Sequence, residues 1–289
     1  DRGKVLGLDF LALTDHDSLV GLKDLNNPSI LVIPGCEIST FLGHFVAYGV
    51  SKTPFWYKGE TLLTPSEMAT FVREQGGLFG LAHPFVLGDP ICVGCRLELK
   101  VQPRDLDFVD IWSRGSDDPV ANEQALKLFD KIWREGLYVT AIAGRDWHGP
   151  NQEEATAGYR FPATVVHSEP EPKAILEAVR KGACYLSVGP IVDFSVECDG
   201  KRAGLGEYLG SEVDSQQKFS ARVYFDSLEE PAVLRVICGG QVAHNEKLSP
   251  GSGRREFSGL CPKKGSVRME IWSENMDERL VITNPIRFR

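Results

Sequence analysis

No stretch of this 289-residue chain approaches the ~20 consecutive apolar residues that cross a bilayer, so no membrane-spanning helix is expected. Residues 1–10 lack the long apolar segment and cleavage pattern of a secretory signal, and none is expected there. A basic excess is also missing. Lys and Arg number 32 against 40 Asp and Glu, a net charge of −8, which argues against a nucleic-acid backbone as partner because that requires a cationic face. There is no internal repeat and no low-complexity segment. Cysteine is present without a framework: seven residues at 36, 92, 95, 184, 198, 238 and 261. An odd number without regular spacing is the pattern of reduced thiols, and the expected compartment is the cytoplasm. Cys92-Val93-Gly94-Cys95 is the one tight pair. A structural zinc site usually takes four ligands and no second pair exists, so a plain loop is favoured over half a zinc knuckle or a redox pair, with a local disulfide as the next reading.

What remains is ordinary in bulk and unusual in detail. An apolar share of 42% and a charged share of 25% suit a soluble globular protein, and the length suits one large domain plus a small one. Against that background six short strings each place a metal-type side chain beside an apolar run. They are Thr14-Asp15-His16-Asp17, Gly35-Cys36-Glu37, Gly43-His44, Ala82-His83-Pro84, Asp110 within Val109-Asp110-Ile111-Trp112, and Gly144-Arg145-Asp146-Trp147-His148. Five of the six end a stretch that reads as a strand; His44 instead begins one. In barrels of parallel strands and helices the strand ends converge on one rim, where the chemistry is done. A multinuclear metal site is the inferred purpose, since two or three divalent ions can activate water at neutral pH and clamp the oxygens of a transition state.

The organisation follows from periodicity and punctuation. Strands are expected at 9–13, 30–33, 45–48, 78–81 and 138–142. Thr64-Pro65-Ser66-Glu67 is a capping box that opens a helix stopped by Gly76-Gly77. Asp118-Pro119 opens a second helix ending at Gly136, and a third runs from about Pro172 to Arg180 with Gly182 as its stop. From Ile191 the texture changes to short alternating runs at 193–197, 218–224, 233–238, 268–272 and 280–283, the pattern of an antiparallel sandwich. Gly189-Pro190 is the expected boundary between a domain of residues 1–189 and one of residues 190–289.

In their order and spacing, Leu13-Thr14-Asp15-His16-Asp17, Gly35-x-Glu37, Leu81-Ala82-His83-Pro84 and Gly144-Arg145-Asp146-Trp147-His148 resemble the motifs of PHP (polymerase and histidinol phosphatase) metallohydrolases. Gly43-His44 followed by Ala47-Tyr48-Gly49, Asp110-Ile111-Trp112-Ser113 and Thr283-Asn284-Pro285-Ile286 resemble the CehA/McbA group in particular. The resemblance implies an α/β fold, a distorted (β/α)7 PHP-type barrel of the TIM-like kind with its first βα unit absent here, followed by a small antiparallel β-sandwich. It also implies two or three divalent metal ions, with zinc, manganese and iron all compatible with mixed nitrogen and oxygen ligands. The metal ligands expected are Asp15, His16, Glu37, His83, Asp146 and His148, with Glu37 bridging two ions. His44 and Arg145 are the candidate catalytic residues, Arg145 as an anion binder or as the partner of a carboxylate. Asp110 stands where the family usually has glutamate. His167 and His244 match no motif. The family's opening His-x-His is not found ahead of His16.

The expected activity is that of a metal-dependent hydrolase using a metal-bound hydroxide on a small, anionic substrate, a phosphoester first, with Arg145 or Arg114 holding the phosphate. The alternative substrate is a carbamate, amide or carboxyl ester. A further alternative is a metal- or carbohydrate-binding module whose catalysis is impaired.

Overall fold

The computed structural model describes residues 2–87, 96–113, 118–148, 161–210, 217–260 and 265–288. Cys92, Cys95 and Arg114 lie outside them. After one helical turn, α1 (Arg2–Val5), strand β1 (Phe10–Leu13) pairs in parallel with β2 (Leu31–Thr40). Only a 3-10 turn at Val20–Asp24 lies between them. β2 then turns back at Phe41-Leu42 into β3 (Gly43–Tyr48), which is antiparallel to it. Gly43 sits at φ 149°, and a Cβ there would meet the Leu97 side chain at 2.7 Å, so the turn needs glycine.

A two-strand ribbon, β4 (Tyr57–Lys58) and β5 (Thr61–Leu62), leads to helix α2 (Pro65–Glu74). The capping box forms as its residues dictate. The Thr64 hydroxyl accepts from the Glu67 N–H, and the Glu67 carboxylate accepts from the Thr64 N–H at 2.8 Å. Strand β6 (Leu78–Leu81) follows and is antiparallel to β3. Then come β7 (Phe108–Asp110), helix α3 (Pro119–Arg134) and β8 (Thr140–Ile142), with β6, β7 and β8 mutually parallel.

The sheet order is β1-β2-β3-β6-β7-β8. β3 alone runs against the other five, so its first residues lie on the same rim as the last residues of its neighbours. Beneath the rim, Phe45 stacks on Phe79 at 5.0 Å, and Ile38, Val109 and Phe129 fill the same buried cluster.

The expected (β/α)7 barrel, and with it the TIM-like description, is therefore corrected. The described chain is mostly β, and this sheet is open and mixed. The reason lies in the connections. Closing a parallel barrel needs a helical crossover after each strand, whereas β2 passes to β3 by a tight hairpin and β1 reaches β2 without an α-helix.

The rest of the chain forms β9 (Ala163–Val166), helix α4 (Pro172–Lys181), β10 (Cys184–Ser187), β11 (Ile191–Cys198), β12 (Lys201–Gly204) and β13 (Tyr208–Leu209). It continues with β14 (Lys218–Leu228), β15 (Ala232–Cys238), β16 (Gln241–Leu248), β17 (Gly251–Leu260), β18 (Ser266–Ser273), β19 (Arg279–Thr283) and β20 (Ile286–Phe288). Gly182 caps α4 in the left-handed conformation at φ 77°, as a helix stop requires.

A four-stranded antiparallel sheet, β12-β11-β14-β17, shares a core with an eight-stranded sheet running β13-β20-β18-β19-β10-β9, with β15 and β16 beyond β18. The alternation in β14 buries Phe219, Ala221, Val223 and Phe225 against Val236, Met269 and Phe288. The expected sandwich of residues 190–289 thus takes strands from earlier in the chain. β10 pairs with β19 and β9 with β10, so hydrogen bonding runs across Gly189-Pro190. Leu186 and Ile282 from this sheet also enter the core beneath β2, β3 and β6. No helix among the described residues is long and apolar enough to cross a membrane.

Candidate metal centre

Alternation in β2 decides what faces the rim. Cys36 and Ile38 are fully buried in the core, which turns Glu37 to the opposite side. A parallel bridge sets His16 beside Glu37, with the Glu37 N–H donating to the Asp15 carbonyl and the Asp17 N–H to the Glu37 carbonyl. His44 enters from the start of β3 and His83 from the residues just after β6.

These side chains converge on one oxygen. Glu37 Oε1 lies 2.8 Å from His44 Nδ1, 3.2 Å from His83 Nε2 and 4.0 Å from His16 Nδ1. Glu37, His44 and His83 are all buried, and one ligand atom from each lies within 4.8 Å of the others, a grouping that can hold a metal ion.

A second group adjoins the first. His16 Nε2 is 3.2 Å from His148 Nε2, and His16 Nδ1 is 2.5 Å from Ser39 Oγ. His148 Nδ1 donates to the Asp146 carbonyl at 3.0 Å, which in the neutral ring leaves Nε2 as the lone-pair nitrogen, turned toward His16. His83 and Asp146 hold positive φ values of 27° and 51°. Each costs on the order of 1 kcal/mol, and such strain collects at functional sites.

The electrostatics follow from this packing. Burial alone would raise the Glu37 carboxyl, but hydrogen bonds from His44 and His83 hold it well below the usual carboxylate range. Burial would lower His83, yet its hydrogen bond to Glu37 and the nearby charges of Glu37, Asp146 and Asp110 raise it. Its remaining nitrogen, Nδ1, is buried with no hydrogen-bond partner among the described residues. Burial pushes Asp110 up to about 6, against the opposing pull of His83 and of the backbone N–H groups of Gly144 and Trp112. Those two N–H groups both donate to Asp110 Oδ1 at 3.2 Å. A Cβ at Gly144 would sit 3.0 Å from Asp110 Oδ2, so glycine allows this close approach.

The structure thus brings Glu37, His44 and His83 together and sets His16, His148 and Asp146 beside them. Asp15 is placed differently. Its carboxylate packs against Gly21, where an added Cβ would be 2.2 Å from Oδ2. Arg145 lies with its guanidinium 3.6 Å from the Phe161 ring centroid and 4.9 Å from that of Trp147. Trp112 is buried in the core, His167 packs edge-on against Tyr185, and His244 stacks on Phe257. Ser39 was missed by the motifs. Its signal is simple: it stands two residues after Glu37 on the same face of a strand.

No family model matches the chain. The uncharacterized protein MJ1587 of Methanocaldococcus jannaschii is 31% identical to it over 145 residues, spanning 46% of this chain and 79% of that protein. Two solved structures of the CARDB domain of the Pyrococcus furiosus protein PF1109 align with 35% of the chain. The solution structure is 15% identical with 95% of it covered, and the crystal structure, a complex with di-metal ions, is 13% identical with 94% covered. Both have a TM-score of 0.22, too low to bear on fold or site. By the identity and coverage of the first match, the chain belongs to the family of MJ1587.

Proposed function

We propose that this member of the MJ1587 family is a metal-dependent hydrolase whose centre is built on Glu37, His83, His44, His16, Asp146 and His148. The observation that carries the reading is the convergence of three imidazoles on one buried carboxylate oxygen, with the Nδ1 of His83 buried and without a hydrogen-bond partner among the described residues. Buried polar atoms are usually hydrogen-bonded, and a ring nitrogen that is not keeps a position open to an ion. Mixed imidazole and carboxylate donors suit zinc, manganese or iron, and the two adjoining groups of side chains suit two or three ions.

Divalent ions held there would supply Lewis-acid activation of water and neutralise charge on the substrate. The chain's own residues do the rest. His44 fixes the orientation of Glu37 through its 2.8 Å hydrogen bond. The Asp146 carbonyl fixes the tautomer of His148. Glu37 and His83 lie deep, whereas the side chains of His16 and His148 are about half exposed (48% and 51%), so a small substrate enters from the His16–His148 side.

A phosphoester is the first substrate class, since tetrahedral oxygens match a cluster of cations. A carbamate, amide or carboxyl ester is the second reading. It is favoured by the position of Arg145, whose charge lies over Phe161 and Trp147. The test is a side-by-side assay of the chain, loaded with manganese or zinc, on p-nitrophenyl phosphate and an aryl carbamate. Turnover of the phosphate that E37Q abolishes supports the first reading. Turnover of the carbamate alone replaces it with the second. Tight metal binding with neither activity points to a binding module and contradicts both.

A further inference from the structure

We infer that Asn284 and Thr164 are positioning residues for the ligand-bearing loop 144–148, an inference that rests on the metal-centre reading above. β8 is the last strand of its sheet, so one edge carries backbone groups that no further strand of that sheet pairs. On that edge the groups of Ala141 and Ala143 are met by side chains. Asn284 Oδ1 accepts from the Ala141 N–H at 2.7 Å, and Asn284 Nδ2 donates to the Ala141 carbonyl at 3.0 Å. One carboxamide thereby reproduces the paired exchange that a neighbouring strand would make. Two residues on, the Thr164 hydroxyl repeats it: Oγ1 accepts from the Ala143 N–H at 2.9 Å and donates to the Ala143 carbonyl at 3.2 Å.

Both side chains belong to the eight-stranded sheet. Thr164 is in β9, and Asn284 joins β19 to β20, is 1% exposed and places another amide hydrogen on the Cys184 carbonyl of β10 at 3.0 Å. Next along the chain, the Gly144 N–H is held by Asp110. Residues 141, 143 and 144 are thus fixed in succession, and Asp146 and His148 follow at once. A displacement of about 1 Å at such a site can lower a rate by ~10²-fold, so anchoring the strand end sets the accuracy of the ligands beyond it. On this account the eight-stranded sheet is part of the metal centre's framework and not a separate appendage.

The probe is cobalt(II), titrated into the metal-free full chain and read by its ligand-field absorption. T164V, which keeps the shape and removes the hydroxyl, should weaken cobalt binding about tenfold and alter the spectrum, as loss of a group supporting a metal ligand commonly does. T164S should restore both, and N284A should behave as T164V does. F219L, in the sandwich core, supplies a comparable loss of urea stability and should leave the spectrum unchanged. Wild-type affinity and spectrum in T164V would overturn the positioning role while leaving the metal reading intact, and the T164V and T164S pair decides the matter if N284A does not fold. Wild-type protein that binds cobalt no better than E37Q would overturn the metal reading and this inference with it.

Discussion

Among the described residues, the buried charged groups around Arg268 and those around Glu37 are built on opposite plans. Where α3 meets the eight-stranded sheet, Arg268 donates to Asp130 at 3.0 and 3.2 Å and to Glu270 at 2.5 Å. Arg279 reaches Glu123 at 2.5 Å and lies over the Trp272 ring, whose N–H donates to Glu270. Permanent cations meet permanent anions there, with Arg268 nearly enclosed between two carboxylates. At the rim, Glu37 is surrounded instead by imidazoles, with Asp110 and Asp146 close to His83. Neutral imidazoles carry lone pairs, so this cluster keeps donor atoms that an arginine cluster lacks. One is a joint between elements, and the other is a site.

The largest expected effect comes from breaking the arginine cluster. R268M leaves the partly exposed Asp130 without its cation and the buried Glu270 with only the more distant Arg279, and should cost about 3 kcal/mol in urea unfolding, while metal affinity stays at the wild-type value. Substitution at the rim should act in the opposite sense. The folded state raises Asp110 from 3.8 to about 6, so its ionisation opposes folding, and stability is lost as pH rises through that window. In chelator-treated protein D110N should therefore be more stable than wild type at pH 8, by about 1–3 kcal/mol, with the difference vanishing below about pH 4. Equal pH profiles for the two proteins would contradict this. The smallest effect sharpens the comparison from outside both clusters. T64A removes the cap of α2 and should cost about 1 kcal/mol, equally with and without metal.

Much of the rim was legible because its signals are local. The strands at Phe10–Leu13 and Leu78–Leu81 and the capping box at Thr64 follow from a few adjacent residues, and each delivers its neighbour to a defined place. Asp15 and His16 are both expected as ligands from the motif, and local sequence does not separate them: the parallel bridge sets His16 beside Glu37, whereas the Asp15 carboxylate packs against Gly21. The barrel was not legible, because closure depends on how strands are connected and paired. The strand expected to end at Ile33 runs on to Thr40, which leaves two residues before β3 and no room for a helical crossover. The direction of β3 also explains His44, which begins its strand and yet reaches the same rim. Asn284 is 143 residues from Ala141 and Arg268 is 138 from Asp130, distances over which no local pattern operates.

The central claim is that the rim is a metal centre, and calorimetric titration of manganese or zinc into chelator-treated wild type, E37Q and R268M tests it most directly. The account predicts saturable binding of two or three ions in wild type, binding weakened at least tenfold in E37Q, and a wild-type isotherm in R268M. Absence of binding in wild type, or an E37Q isotherm identical to that of wild type, would contradict it.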